Sequence, residues 1–537
     1  MFLRYKNILL FLLFLAITFV LYSGTLHSKF VFDFIDWFFT YQQQGWRGLL
    51  HSFNDPSLHH VYHLFFFCAV KVFGTNNYAW YILFCGLHTL NGFLLFVVLK
   101  SWLEKNQTPY FFETSVFAAL LFLISPYQTE VVVWGATIHY LLVVCFALLV
   151  LNLTFSFART DNKKYLLGSY FLFFIGLFTH EIIIVLPAIA GIMLWVVYPS
   201  KRFKLLLKIV LPQLTLIATY FFLNKVILEK WVGHYGAQAH LQFDWWQLQT
   251  AFAKYFCKYF LFAQFLSDAY KNHIYMSIEN HHYRVLLSFV LVIVLLAVAW
   301  NKKSVAPKLV LALFAISFIA LFPVLNLYFP NWINIQADRL GYFASLFLYS
   351  FFAVTMVTVF RKFGFVLLSG FLCMEAYALH QNTNSWKQAG ILIEQLENNF
   401  PKDTTKHYYI LNLPDNYQGA YMFRCLGDSK FATTLKLKTQ VDRTSQITEV
   451  LSYNLQQPTD SVKVSIVDSL KLKVELSNAG SWWWRYTVGA TDYEDENVNV
   501  DIDDSKHFYT VSFKKKRKED VFLYQAGGDW REVNFFR

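Results

Sequence analysis

Apolar stretches long enough to cross a lipid bilayer recur through residues 1–380, and they leave few folds open. A spanning helix needs roughly 17–25 mostly apolar residues, because a segment withdrawn from water must satisfy its own backbone N–H and C=O groups. Eleven runs meet that length, at about 7–24, 78–99, 110–126, 135–157, 163–179, 182–199, 205–227, 284–300, 307–327, 341–360 and 363–380. The balance of residue types agrees: 15% of the 537 residues are charged, against about a quarter in soluble proteins. The expected fold class is mainly α, a polytopic transmembrane helical bundle of about eleven spans over residues 1–380.

Two further apolar segments, 58–73 and 247–268, are placed by charge. If both lie at the interface or re-enter the membrane without spanning it, every second loop is basic. Those loops carry Arg4 and Lys6; Lys100 and Lys105; Arg159, Lys163 and Lys164; Lys201, Arg202, Lys204 and Lys208; Lys302, Lys303 and Lys308; and Arg361 and Lys362. Cytoplasmic loops hold that excess of Lys and Arg. The N-terminus is therefore expected in the cytoplasm and the chain from 381 onward outside it. The first run has the basic start of a signal peptide but no clear cleavage site, and many spans follow, so it reads as a retained helix. The net charge of +11 sits mostly at span ends and in one C-terminal run, which argues against a nucleic-acid partner. The six cysteines form neither a disulfide framework nor a metal-ligand spacing.

The character of the chain changes near residue 381. Residues 384–399 read as an amphipathic helix with Trp386, Ile391, Ile393 and Leu396 apolar. Alternating runs follow at His407 to Leu413, Val462 to Val467, Leu470 to Leu476, Val498 to Ile502 and Phe508 to Phe513, separated by Asp, Asn, Gly and Pro. A soluble, β-rich α+β domain is expected over 381–537, large enough to bury its own core.

The unusual polar residues fall in the loops expected outside. Asp33 and Asp36 lie in Phe30-Val31-Phe32-Asp33-Phe34-Ile35-Asp36-Trp37, where an acid is unfavourable without a role or a partner. In a helix the two share one face. They supply a general base and its support, or they cap a helix and pair at the membrane surface. Glu130 follows Ser125-Pro126 at a span boundary, and His180-Glu181 marks another; each alone also reads as a helix-start acid. Arg339, in Ala337-Asp338-Arg339-Leu340-Gly341-Tyr342, runs against the topology bias, and its planar fork suits a phosphate. A pair with Asp338 is the plain alternative. His59, His60 and His63 have helical spacings open to a metal but no HExxH or Cys companion, and read as interfacial residues. The run Lys514-Lys515-Lys516-Arg517-Lys518 reads as a solvated strand end, and Trp482-Trp483-Trp484 as at least partly core.

In order, the acidic first outer loop, Lys71-Val72-Phe73-Gly74, Leu87-His88-Thr89-Leu90-Asn91, Ser125-Pro126-Tyr127-Gln128-Thr129-Glu130-Val131, Thr179-His180-Glu181 and Ala337-Asp338-Arg339-Leu340-Gly341-Tyr342 resemble the GT-C superfamily of integral-membrane glycosyltransferases, nearest the protein O-mannosyltransferase type and its bacterial relatives. The resemblance covers about residues 1–380. It implies a lipid-linked donor, typically a polyprenyl-phosphate sugar, transferred on the extracytoplasmic side of a bacterial inner membrane to a hydroxyl of a protein or glycolipid acceptor. It implies Asp33 as the catalytic base with Asp36 second, Arg339 at the donor phosphate, and Glu130, His180 and Glu181 lining the same cavity. It implies no cofactor and no metal. The chain departs from the family's usual adjacent acid pair in having Asp-Phe-Ile-Asp, and has His180-Glu181 where some relatives have Lys-Glu. Two other functions fit a polar cavity in a helical bundle: a flippase or transporter of lipid-linked glycans, and an O-antigen-type polymerase or ligase. The latter would draw on His234, His240, Asp244, Trp245 and Trp246 of the long fourth outer loop.

Overall fold

Polar residues set the ends of the apolar helices in this computed structural model, which describes residues 2–53, 58–231, 245–262, short pieces between 265 and 280, 306–325, 338–424, 430–482 and 491–535. The Asn76 side chain accepts from the N–H groups of Tyr78 and Ala79 to open α4, Asn77–Lys105, after α1 (Phe2–Leu21), α2 (Asp33–Gln44) and α3 (His60–Phe73). Ser125 is extended, as the residue before a proline prefers, and ends α5, Phe111–Ile124. The short helix α6, Thr129–Val133, follows a 3-10 turn that begins at Pro126, and α5 and the segment Pro126–Val133 form a pair bent by 54°. Next come α7 (Ile138–Thr160), α8 (Lys163–Leu177), α9 (Leu186–Val197) and α10 (Arg202–Leu228, with one π turn). Then follow α11 (Trp245–Leu261), α12 (Ala306–Leu325), α13 (Tyr342–Phe360) and α14 (Lys362–Asn399).

Among the described residues, six helices are long and apolar enough to cross a membrane: Asn77–Lys105, Gly135–Thr160, Arg202–Leu228, Pro307–Leu325, Asp338–Phe360 and Lys362–Asn399. The bent pair would make a seventh. The apolar helices Lys6–Leu21 and Glu181–Val197 are shorter, as is α8 with 15 residues. The expected run at 284–300 lies outside the described residues. The two segments set apart by charge are helices of 14 residues (α3) and 17 residues (α11).

The chain divides into two compact units. The first comprises Met1–Tyr22, Thr40–Val132 and Thr137–His380. Its helices pack through apolar side chains, with a buried polar knot between α4 and α13. The His88 Nε2–H donates to the carbonyl of Leu123 at 3.1 Å, which leaves Nδ1 to accept from the Tyr342 hydroxyl at 2.9 Å. Asn91 donates to the same hydroxyl at 3.2 Å and to the carbonyl of Leu141 at 3.0 Å. These bonds fix the start of α13.

The second unit comprises Ser23–Phe39, Val133–Ala136 and Gln381–Arg537. Among its described residues, helix α15, Lys430–Thr439, accompanies thirteen strands in three sheets. One sheet runs β13 (Asp529–Glu532), β12 (Asp520–Ala526), β1 (His407–Ile410), β4 (Ile447–Glu449), with β1 parallel to both of its neighbours. The second runs β3 (Ala420–Tyr421), β2 (Leu413–Tyr417), β5 (Ser452–Leu455), β8 (Ser481–Trp482). The third is antiparallel: β6 (Val462–Asp468), β7 (Lys471–Leu476), β11 (Phe508–Phe513), β10 (Val498–Ile502), β9 (Tyr493–Glu494).

Asn412 and Gln525 exchange hydrogen bonds across this unit's interior, at 2.7 Å and 3.0 Å. Trp482 is core, against Tyr453 and Tyr509, while Trp483 and Trp484 lie outside the described residues. The basic run ends strand β11: Lys514 pairs with Glu494 at 2.6 Å, and Lys516 donates to the carbonyl of Phe535. The early segment joins this unit through its apolar residues. Val31, Phe32 and Trp134 belong to the same buried cluster as Trp386 and Tyr421. Lys29 pairs with Glu394 at 3.0 Å.

Candidate functional site

In the second unit, Asp33 is the first residue of α2, and the preceding Phe32 has φ +58°. A bulky residue in the left-handed region costs of the order of 1–3 kcal/mol and persists only where its surroundings over-determine it. Those surroundings are explicit. The Phe32 ring lies 5.6 Å from Trp134, whose indole N–H donates to the carbonyl of Val31 at 3.4 Å. Phe34 stacks on Phe30 at 4.3 Å and passes where a Cβ at Gly135 would stand. Asp33 and Asp36 both fall in the first turn of α2, where the helix dipole favours acids. Asp36 is ion-paired: its Oδ2 accepts from Lys430 at 2.5 Å, the lysine side chain being 10% exposed and the aspartate 46%. The same ammonium stands 5.8 Å from the centre of the Phe32 ring.

In the first unit, the break at Ser125-Pro126 turns Glu130 into the bundle. The Thr137 hydroxyl holds that turn by donating to the carbonyl of Val131 at 3.1 Å. The Glu130 carboxylate is fully buried and bound twice by one residue. It accepts the Arg339 backbone N–H at 2.7 Å and the Arg339 guanidinium at 2.5 Å. Next to Arg339 in sequence, buried Asp338 is ion-paired with Lys258 of α11. A Cβ at Gly341 would strike the Tyr259 hydroxyl, so glycine there lets α11 approach the turn Asp338–Gly341. Lys254, one helical turn before Lys258, is also buried. Two cation–carboxylate pairs thus gather about the head of one apolar helix. Of the two pairs, only the one at Arg339 keeps an accessible member, its side chain 18% exposed against 2% for Lys258.

His180 and Glu181 take different parts. The N–H of Ile182 donates to His180 Nδ1 at 3.1 Å, so the imidazole caps the turn Glu181–Val185 and carries its proton on Nε2. The Tyr220 hydroxyl donates to Glu181 at 3.2 Å. The His180 ring stacks at 5.0 Å from His139 and 5.4 Å from His59, with Tyr140 at 4.7 Å. His63 leaves this group and bonds the Tyr41 hydroxyl at 2.8 Å. Among the described residues, no group of three or more His, Cys, Asp or Glu is arranged to hold a metal ion.

Of the residues singled out in the sequence, Glu130 and Arg339 are thus brought into direct contact within the first unit, and Asp33 and Asp36 share the first turn of one helix. Lys254, Lys258, His139 and Lys430 were not singled out. The two lysines of α11 left a signal: cations spaced i, i+4 inside an apolar segment. His234, His240 and Asp244 lie outside the described residues, as do the side chains of Trp245 and Trp246.

No family model matches the chain, and no curated protein matches it. Among solved structures, the chain is similar to ArnT from Cupriavidus metallidurans, determined bound to undecaprenyl phosphate, with 12% identity and a TM-score of 0.34. The match covers 85% of this chain and 96% of that one.

Proposed function

We propose that the chain is a membrane glycosyltransferase of the GT-C type, taking a sugar from a polyprenyl-phosphate donor and passing it to an acceptor hydroxyl on the extracytoplasmic face. One observation carries the reading. An apolar helical bundle holds Arg339 and Lys258 with two carboxylates at the head of α13, has Lys254 buried one turn earlier on α11, and leaves the guanidinium partly accessible. Charges in such a setting are functional by default. A ligand apolar along its length and anionic at one end suits it. Arg is the side chain that meets a phosphate with two parallel N–H donors.

In this reading Arg339 stabilises the phosphate as the glycosidic bond breaks and charge develops on the departing oxygen. Glu130 holds Arg339 in place, and Lys258 and Lys254 add to the positive field. Asp33 takes the acceptor hydroxyl proton, and the oxygen attacks the anomeric carbon opposite the phosphate, inverting the centre in one displacement. No acid is needed on the leaving side, because phosphate leaves as an anion. His180 and Glu181 belong to the lining of the donor cavity, and the acceptor is a protein or a glycolipid.

Purified protein in lipid nanodiscs, given labelled polyprenyl-phosphate sugar and an envelope extract as acceptor, is expected to move label from lipid to acceptor. Label that stays on the lipid in every extract overturns the proposal. Translocation of lipid-linked glycan is the second reading. It is favoured by Glu375, fully buried on the membrane-length helix α14, its carboxylate bonded to the Tyr349 hydroxyl at 2.7 Å, which in turn meets Ser125 at 2.6 Å. Flipping without transfer in proteoliposomes would decide for it.

A further inference from the structure

Lys430 has no part in the proposed chemistry, yet its placement calls for a reason. It lies on α15 and is buried, where a cation is unfavourable without a partner. A tertiary reason must hold it there. Its ammonium meets α2 on both sides of Asp33: the carboxylate of Asp36 one turn later, at 2.5 Å, and the ring of Phe32 immediately before, at 5.8 Å. Farther along the same helix, Lys436 stands 5.3 Å above the ring of Phe39. Helix α15 therefore lies along the first turns of α2, and Lys430 meets Phe32, just before Asp33, and Asp36, three residues after it.

We infer that Lys430 is a positioning residue for Asp33, and that Asp36 serves as its anchor and not as a second catalytic acid. Phe32 must be held in the left-handed region for α2 to begin at Asp33. The cation over its ring and the ion pair one turn on fix both sides of that start. The strand-containing unit acquires a role by this route: it supplies the grip that aims the base. An exposed ion pair would do little, but this one is shielded on the lysine side and shares its cation with an aromatic ring.

The catalytic part of this inference rests on the proposed transferase reading, and the test separates the two. Full-length wild type, Lys430→Met, Lys430→Arg, Asp36→Asn and the double variant Asp36→Asn/Lys430→Met are assayed with labelled polyprenyl-phosphate sugar. Amide hydrogen exchange of residues 32–38 is followed in parallel. Expected are a fall in kcat of roughly tenfold or more in Lys430→Met with donor KM within about twofold, and recovery of most of the rate in Lys430→Arg. The double variant should be no slower than the worse single one, because both substitutions remove one contact. Exchange over 32–38 should quicken about tenfold in Lys430→Met and in Asp36→Asn. Unchanged exchange overturns the grip whether or not the wild type transfers sugar. Faster exchange with unchanged kcat overturns the positioning role. If the wild type transfers nothing while exchange responds, the transferase reading fails and the grip stands. Should Lys430→Met not fold, Asp36→Asn and Lys430→Arg carry the same comparison.

Discussion

Glu130 holds Arg339 through two different atoms of the same residue, the backbone N–H at 2.7 Å and the guanidinium at 2.5 Å. The backbone bond fixes where the turn lies, and the side-chain bond fixes where the fork points. Glu130→Gln keeps a carbonyl oxygen for one donor and gives up the charge. We expect it to cost less stability than Glu130→Ala, which strands a guanidinium at an apolar site and should destabilise by about 3–5 kcal/mol. Thermal unfolding of the detergent-solubilised chain measures the difference; equal melting for both would show that charge, not hydrogen bonding, dominates.

Arg339→Lys retains a positive charge and loses the fork. Transfer from a polyprenyl-phosphate donor should fall by about 10²-fold in kcat/KM, and by about 10³-fold in Arg339→Ala, the range for loss of a group that stabilises charge only as it develops. An Arg339→Lys enzyme as fast as wild type would remove Arg339 from the donor phosphate.

Asp33→Asn is expected to abolish sugar transfer, a loss of at least about 10²–10⁴-fold, as for a general base. Its thermal midpoint should stay near that of wild type, since Asn also serves at a helix start. Steady-state transfer and melting on one preparation make the check, and retained activity sinks the assignment.

Lys258 and Asp338 form the more deeply buried pair. Replacing either alone leaves an uncompensated charge and should destabilise by about 3–5 kcal/mol, whereas Lys258→Met with Asp338→Asn together should recover much of that loss. A double-mutant cycle on thermal unfolding reads the coupling; additive losses would mean that the two do not act as a pair.

Lys29 holds the Glu394 carboxyl below its ordinary value of 4.5, chiefly by hydrogen bonding to it. The folded value is depressed, so the pair's stabilisation is present above about pH 4.5 and fades as the pH falls through the lower folded value. Both side chains are partly exposed, so the effect is at most about 1 kcal/mol. The melting difference between wild type and Glu394→Gln should be full at pH 6 and shrink steadily below pH 4.5. A difference that grows on acidification contradicts it.

What was legible in the sequence divides by how local the physics is. Helices α4, α7, α10, α12 and α13 follow from runs of apolar residues, and the strand-containing unit follows from alternation after residue 381. Glu130 and Arg339 could each be nominated from an unusual charge at a span end, but their contact bridges 209 residues and no pattern links them. The partner of Asp36 was harder still. The spacing of Asp33 and Asp36 places both on one helical face, but nothing in it points to Lys430, 394 residues away. Lys254 and Lys258 show in the sequence as cations spaced i, i+4 in an apolar run, but the partner of Lys258 does not, and Glu375 is hidden by the span that contains it.

The second unit is assembled from three separated pieces of chain, and its earliest piece, Ser23–Phe39, waits for a sheet whose central strands pair with residues as late as Asp520–Ala526. During synthesis the segment with Asp33 and Asp36 leaves the ribosome well ahead of Lys430, the partner of Asp36 that lies 394 residues later. A chain terminated before Lys430 therefore holds the start of α2 without the ion pair at Asp36 and without the cation over Phe32.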